Sequence, residues 1–250
     1  AAVDRRHWCL AAAGLLAGGG GGPVRRAPDS PAGSLPPFSA MYRGAVLPAG
    51  WLPHVMRRDR APTRYSLDER DGRAAVHAIA DRSTSGLRCD VDIDPKATPW
   101  LSWEWRVDQV PAGASVEDDD RDDSPARVVV AFDGDVSTLS LRDRLFRDTV
   151  ELFTGTTLPF ATLMYVWDAK APPESVVAYP RTARVQYLVV ESGAERAGRW
   201  LGYRRDVLAD YRRVFGGEPG RIRHVGLLAD TDDLKVRTDT WFANLAFSAA

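Results

Sequence analysis

Leu87-Arg88-Cys89-Asp90-Val91-Asp92-Ile93-Asp94 alternates apolar and polar residues at every step. Leu101-Ser102-Trp103-Glu104-Trp105-Arg106-Val107 repeats the pattern, with two tryptophans on its apolar side. A period of two puts one face of an extended chain on a core and leaves the other wet. Outward from these stretches, Val76 and Ala78 alternate with His77 and Ile79, and residues 127–132 (Arg-Val-Val-Val-Ala-Phe) read as a more fully buried strand. Further strands are predicted at 163–167, 185–191, 224–229 and 241–247. Asp133-Gly134, Pro172-Pro173, Ser192-Gly193 and Gly216-Gly217 supply the turns between them.

Two segments change period. In 140–153, Leu141, Leu145, Phe146, Val150 and Phe153 predict a helix that ends before Gly155. In 203–215, Tyr203, Val207, Leu208, Tyr211, Val214 and Phe215 recur at helical spacing. Arg204, Arg205, Arg212 and Arg213 form the wet face of that helix, and Gly216 stands where a C-cap glycine belongs. Eight or more strands with about two short α-helices predict a mostly β chain, a two-sheet β-sandwich of jelly-roll type.

The chain has 250 residues, 44% hydrophobic and 27% charged, which suits one globular domain. A net charge of −1 gives no support to nucleic acid as a partner. Asp4-Arg5-Arg6-His7-Trp8-Cys9-Leu10, followed by a small apolar run and five glycines, resembles a twin-arginine export signal. The expected layout is therefore an export signal at 1–27, a Pro/Ser/Gly-rich linker at 28–37 and a single β-sandwich domain at 38–250. Removing residues 1–27 takes away four arginines and one aspartate and moves the net charge to −4. An exported, periplasmic or extracellular protein follows, with no transmembrane span in the mature chain. Only Cys89 would remain, so no intramolecular disulfide can form, and its place on an apolar face suits an inert buried thiol.

The ordered set Trp103-Glu104-Trp105-Arg106-Val107, Asp122-Asp123-Ser124-Pro125-Ala126-Arg127, Tyr165-Val166-Trp167, Val190-Glu191-Ser192-Gly193, Arg205-Asp206-Val207 and Asp230-Thr231-Asp232 resembles the bacterial family called domain of unknown function 3047. The likeness runs from about Phe38 to Phe247. It implies an exported bacterial protein and no known activity. Family members usually read Asp-Thr-Asp-Asn-Thr in the late loop, where this chain has Asp233-Leu234 in the last two places. The closing helix, strand, acidic loop and strand are also similar to the last strands of jelly-roll carbohydrate-binding modules.

Aromatic residues and carboxylates carry the chemistry on offer. Trp103 and Trp105 read as sandwich core, with a sugar-stacking platform as the alternative. Trp51 and Trp100 stand beside Gly50 and Pro99, and Trp200 two residues from Gly198 and Gly202, all in expected loops, which makes them ligand-binding candidates together with Asp122 and Asp123. The acidic run at 117–123 and the group Asp230, Asp232 and Asp233 offer hard oxygens suited to calcium, in a structural rather than catalytic role. Asp123 and Arg127 are spaced to pair. Glu104 and Glu191 are the candidate catalytic carboxylates if a concave sheet brings them across one cleft. His77 and His224 read as hydrogen-bonded sheet residues, and no histidine pair has metal-ligand spacing. The leading expectation is a non-catalytic cell-envelope module that binds carbohydrate or a glycan-like ligand. The alternatives are a polysaccharide hydrolase or lyase and a periplasmic domain that meets another envelope protein.

Overall fold

The computed structural model describes residues 35–38, 47–55 and 57–249. Residues 1–27, the expected export signal, and most of 28–37 lie outside these residues. At the end of the expected linker, Leu35 is buried and joins the core, and Phe38 packs against Trp51 with ring centroids 5.8 Å apart.

Twelve strands and two helices follow in order: β1 (Trp51–His54), β2 (Arg64–Arg70), β3 (Arg73–Asp81), β4 (Thr84–Ile93), β5 (Trp100–Val107), β6 (Arg127–Phe132), α1 (Leu141–Thr154), β7 (Ala161–Asp168), β8 (Val176–Ala178), β9 (Val185–Ser192), β10 (Trp200–Asp206), α2 (Val207–Phe215), β11 (Ile222–Asp230) and β12 (Arg237–Ser248). A seven-stranded sheet runs β1-β4-β11-β6-β7-β9-β8, and a five-stranded sheet runs β10-β5-β12-β3-β2. Only the β7–β9 ladder is parallel among the paired strands. From β3 onward the chain crosses between sheets repeatedly (β3 to β4, β4 to β5, β5 to β6, β9 to β10, then β11 and β12), the crossing pattern of a jelly-roll sandwich. The mostly β, two-sheet expectation holds.

The alternation quoted at the outset determines which side of each strand meets the other sheet. Leu101, Trp103, Trp105 and Val107 of β5 point inward with Leu87 and Cys89 of β4, Val128 and Val130 of β6, and Tyr165 and Trp167 of β7. Trp103 lies against Tyr165 and Tyr203, and Trp105 against Trp167, with centroids 5.1 to 6.1 Å apart. Such spacings are those of favourable aromatic pairs. Cys89 is buried, and burial first, then Asp90, pushes its thiol up to about 12, which leaves it protonated and inert.

The outer faces of the two sheets differ. On the seven-stranded sheet, Val129, Met164, Val166, Tyr187 and Leu228 form a second apolar layer with Val150 and Phe146 of α1. The outer face of the five-stranded sheet carries Ser102, Glu104 and Arg106 of β5 in partial exposure, and Gly202 and Arg204 of β10 in full exposure.

Both helices depart from their expected faces or bounds. α1 turns Asp143 inward, where its carboxylate accepts bonds from Ser140 Oγ, Thr182 Oγ1 and Ala183 N. That anchor leaves Leu141, expected on the packed face, 66% exposed and Leu145 exposed beside it. The second helix starts at Val207, not 203. Residues 200–206 instead extend along β5, and Asp206 caps the helix by accepting from Ala209 N. Arg204 and Arg205 therefore belong to a strand and not to a helical wet face.

Phe242 of β12 is fully buried between the sheets. Phe242→Ala is expected to cost about 3–5 kcal/mol. Urea unfolding reads this as a lower midpoint at unchanged slope, and a loss below ~1 kcal/mol would place Phe242 outside the core.

Candidate functional site

Directly paired residues of neighbouring strands share a face. On β10, Trp200 pairs with Arg106 of β5, which pairs with Trp241 of β12, which pairs with His77 of β3. The next row is Gly202, Glu104 and Ala243. Since Trp103 and Trp105 point inward, both rows point away from the core. An aromatic row thus lies beside a row of small residues and a carboxylate on the outer face of the five-stranded sheet.

Polar groups hold the row in place. Trp200 Nε1 donates to Asp71 Oδ2 at 3.0 Å, from the β2–β3 turn. Arg106 donates to Asp71 and Asp108 at 3.3 and 3.0 Å. Trp241 stacks on His77 with centroids 4.2 Å apart and planes within 9°, and Arg70 lies 4.6 Å over the Trp241 ring. His77 in turn shares a 2.9 Å hydrogen bond with Asp239, as expected for a sheet histidine. Arg73 reaches from β3 past β12 to Glu104 Oε2 at 3.3 Å and lies 5.1 Å from the Trp200 ring. A bulge between Ala243 and Ala246, with Asn244 at φ +53°, lets Asn244 Nδ2 donate to the same carboxylate. Bulges commonly re-aim a side chain in this way.

The sequence candidates divide among several places. Trp200 and Trp100 share this face, but both sit on strands and not in loops. Trp100 lies six residues from Arg106 along β5, about 20 Å away, and Arg204 covers it at 3.8 Å. Trp51 was expected in an exposed loop. It is instead 3% exposed, because β1 pairs with β4 and turns the indole into the core opposite Cys89. Trp103 and Trp105 are core, which removes the platform alternative. Trp241, which sequence reasoning placed only in a strand, belongs to the aromatic row. Its alternation with the inward Phe242 was the available signal.

Glu104 and Glu191 do not face one cleft. Glu104 points out of the five-stranded sheet. Glu191 is buried and accepts from Tyr203 Oη at 2.6 Å and Arg196 at 2.7 Å. Tyr203 stacks on Trp103 inside the sandwich, so the five-stranded sheet itself separates the two carboxylates. The acid–base pair that glycoside hydrolysis needs across a substrate is not formed by these two residues.

Asp122, Asp123, Asp230, Asp232 and Asp233 gather where the 115–125 loop meets the end of β11 and the turn that follows it. Carboxylate oxygens of Asp123, Asp230 and Asp232, all buried, lie within 4.8 Å of one another. Two acidic stretches read as separate sites are therefore one. Asp230 Oδ1 accepts from Ser124 N and from Arg127, while Asp123 accepts from the backbone N–H groups of Asp233 and Leu234. Arg127 pairs with Asp122 and Asp230 at 3.1 and 3.2 Å and not with Asp123 as its spacing suggested. Asp122 also accepts from Tyr187 Oη, in the layer beneath α1 and away from Trp200. Asp122 and Asp123 thus do not serve the surface that presents Trp200. Asp232 faces Arg60 and Arg57 at 3.3 and 3.8 Å.

Burial is the main force on these acids. It pushes Asp122 up to about 6, and burial with the charge of Asp232 and Asp123 pushes Asp233 up to about 7. Burial also raises Asp230 well above the carboxylate range, where Arg127 opposes the shift and Asp123 and Asp122 add to it. Asp232 is raised by burial and by Asp123. The donor set is all hard oxygen, which fits calcium and not a soft metal, and Asp123, Asp230 and Asp232 are the residues that could hold it. Asp233 contributes its N–H in place of a converging carboxylate.

A sequence profile for the family described as "Protein of unknown function (DUF3047)" matches residues 49–246. The chain belongs to this family. Within this DUF3047 protein, the two quoted stretches that meet at the acidic centre are Asp122 to Arg127 and Asp230 to Asp232. No curated protein matches the chain. Among solved structures it is similar to a family 11 carbohydrate-binding module from Clostridium thermocellum in complex with a mixed-linked tetrasaccharide, at 10% identity and TM-score 0.41, over 88% of this chain and 98% of that one. It is also similar to a family 12 xyloglucanase from Bacillus licheniformis, at 7% identity and TM-score 0.45, over 87% of this chain and 100% of that one. Likeness at this level assigns no ligand.

Groups whose folded values are raised hold protons that the unfolded chain has lost. Between about pH 4 and 7 the native state therefore binds more protons, and stability falls as pH rises through the values near 6 and 7. Denaturation at pH 5 and pH 8 should show the higher stability at pH 5, and Asp233→Asn should flatten the slope. A slope of the opposite sign, or one unchanged by Asp233→Asn, would contradict this account of the cluster.

Proposed function

We propose that this DUF3047 protein is a carbohydrate-binding module of the cell envelope and that its ligand surface is the outer face of the five-stranded sheet. The observation that carries the reading is the partly exposed Trp200, in one row with Trp241 beneath Arg70 and flanked by Arg106, Glu104, Arg73 and Asn244 on the outer face of that sheet. A sugar ring has an apolar face and a polar rim. Flat indole rings suit the first, and planar guanidinium, carboxylate and amide groups suit the second.

Export completes the proposal, because it would place the domain where such polymers are met. Arg5→Lys with Arg6→Lys should trap precursor in the cytoplasm, and unaltered export of that variant would remove the twin-arginine reading.

Calcium enters as a structural ion at Asp123, Asp230 and Asp232, where it would displace the protons that burial favours on Asp230 and Asp232 and tie the 115–125 loop to the end of β11. The arginines beside Asp232 and Asp230 compete for the same carboxylates and would weaken its hold. Millimolar calcium should raise the thermal midpoint at pH 8 more than at pH 5, because ligand carboxylates must be deprotonated. An equal or absent shift at both pH values would remove the ion from the account.

Binding is tested by co-sedimentation of the full chain with insoluble cell-wall and storage polysaccharides, scoring bound protein and released sugar together. Trp200→Ala should lower affinity by at least about tenfold with little change in stability. Trp51→Ala should do the reverse, losing stability while the folded fraction still binds. Equal binding by Trp200→Ala and the parent chain would move the ligand away from this face.

A further inference from the structure

Trp241 differs from Trp200 in one respect. It is 4% exposed, and its indole Nε1 has no hydrogen-bond partner. Buried N–H groups are rarely left without an acceptor. One face of the ring is stacked on His77, and the Arg70 guanidinium lies 4.6 Å over the ring. Arg70 is held weakly: among the described residues it pairs with Asp108 at 3.8 Å, and its side chain is 38% exposed. A loosely held cation thus covers an aromatic ring whose only polar atom lacks an acceptor.

Position adds a length to this observation. Trp200 and Trp241 pair with the same residue, Arg106, from opposite sides, so they stand two strands apart. Two interstrand spacings amount to ~9.5 Å. That distance is about the length of two hexose units in an extended β-linked chain, in which alternate rings turn the same face to the same side. Arg106 stands between them, and the next row along the strands is built low, with Gly202 on β10 and Ala243 on β12 beside Glu104.

Resting on the carbohydrate reading above, we infer that Trp241 is a second, concealed sugar platform and that the ligand is an extended β-linked polysaccharide lying across the strands. Its first ring stacks on Trp200 and the ring two units on displaces Arg70 from Trp241. A hydroxyl of the neighbouring unit, level with the edge of the indole, accepts from Trp241 Nε1. Arg70 is a competitor for the platform in the free protein. A helical α-linked chain cannot present rings of the same facing at this separation and gains nothing from the second platform.

The test is calorimetric titration of the full chain with β-1,4-linked gluco- and manno-oligosaccharides of two to six units, and with α-1,4-linked gluco-oligosaccharides of the same lengths. Affinity for a β-linked series should rise by about tenfold between two and four units. Arg70→Ala should raise affinity for the longer β-linked ligands about two- to fivefold and leave the disaccharide unchanged. Trp241→Phe, which keeps a ring and removes the N–H, should lower affinity for the longer ligands only. Binding that is independent of length, equal for α- and β-linked series, or weakened by Arg70→Ala would overturn the second platform while leaving a carbohydrate site at Trp200. Absence of binding by folded protein to every series, with no effect of Trp200→Ala on co-sedimentation, would overturn both readings.

Discussion

Trp103 and Trp105 leave water together on one side of β5, and the outward-facing chemistry of the five-stranded sheet follows from their burial. Their rings meet Tyr165, Trp167 and Tyr203 from the opposing sheet and the neighbouring strand. Each fully buried aromatic side chain contributes on the order of 1.5–3 kcal/mol by removal from water. A strand has only two faces, so Glu104 and Arg106 must point outward. A shift of one residue would bury the charges and expose both indoles. The ladders of β10 and β12 then carry that parity sideways and align Trp200 and Trp241 with Arg106.

Much of this was legible in the sequence because the period is short and strict. The strands at 87–94 and 101–107, the double-faced burial of 127–132 and the outward set of Glu104 all follow from local alternation. What was not legible depended on partners far along the chain. The 203–215 stretch carries a helical pattern, but its first residues pair with β5 because Tyr203 fits against Trp103. Trp51 looked like a loop residue beside Gly50, yet a four-residue edge strand turns it inward. Leu141 and Leu145 looked like the packed side of α1. Asp143 took that side instead, since its two hydrogen bonds across to Thr182 and Ala183, with a third from Ser140, fix the rotation of the helix.

The acidic centre shows the same limit. Ser124 N donates to Asp230 across 106 positions of sequence, so no local spacing could have joined the two clusters. Once joined, they hold more carboxylates than the arginines beside them, Arg127, Arg57 and Arg60, and burial raises the proton affinity of Asp122, Asp230, Asp232 and Asp233. This centre lies at the end of the seven-stranded sheet and anchors a loop. The proposed ligand surface is the outer face of the five-stranded sheet. The division is economical in physical terms: a centre that rigidifies the sandwich need not change when a ligand arrives at the other face.

The central claim is the location of the ligand surface, and oxidative footprinting of the tryptophans tests it most directly. Full chain is oxidised with and without a saturating soluble β-glucan, and each tryptophan is read by mass spectrometry. The account predicts protection at Trp200, a change at Trp241 as Arg70 moves off its ring, and no change at the buried Trp51, Trp103 and Trp105. Protection confined to the 115–125 loop, or an unchanged Trp200 under demonstrated binding, would contradict it.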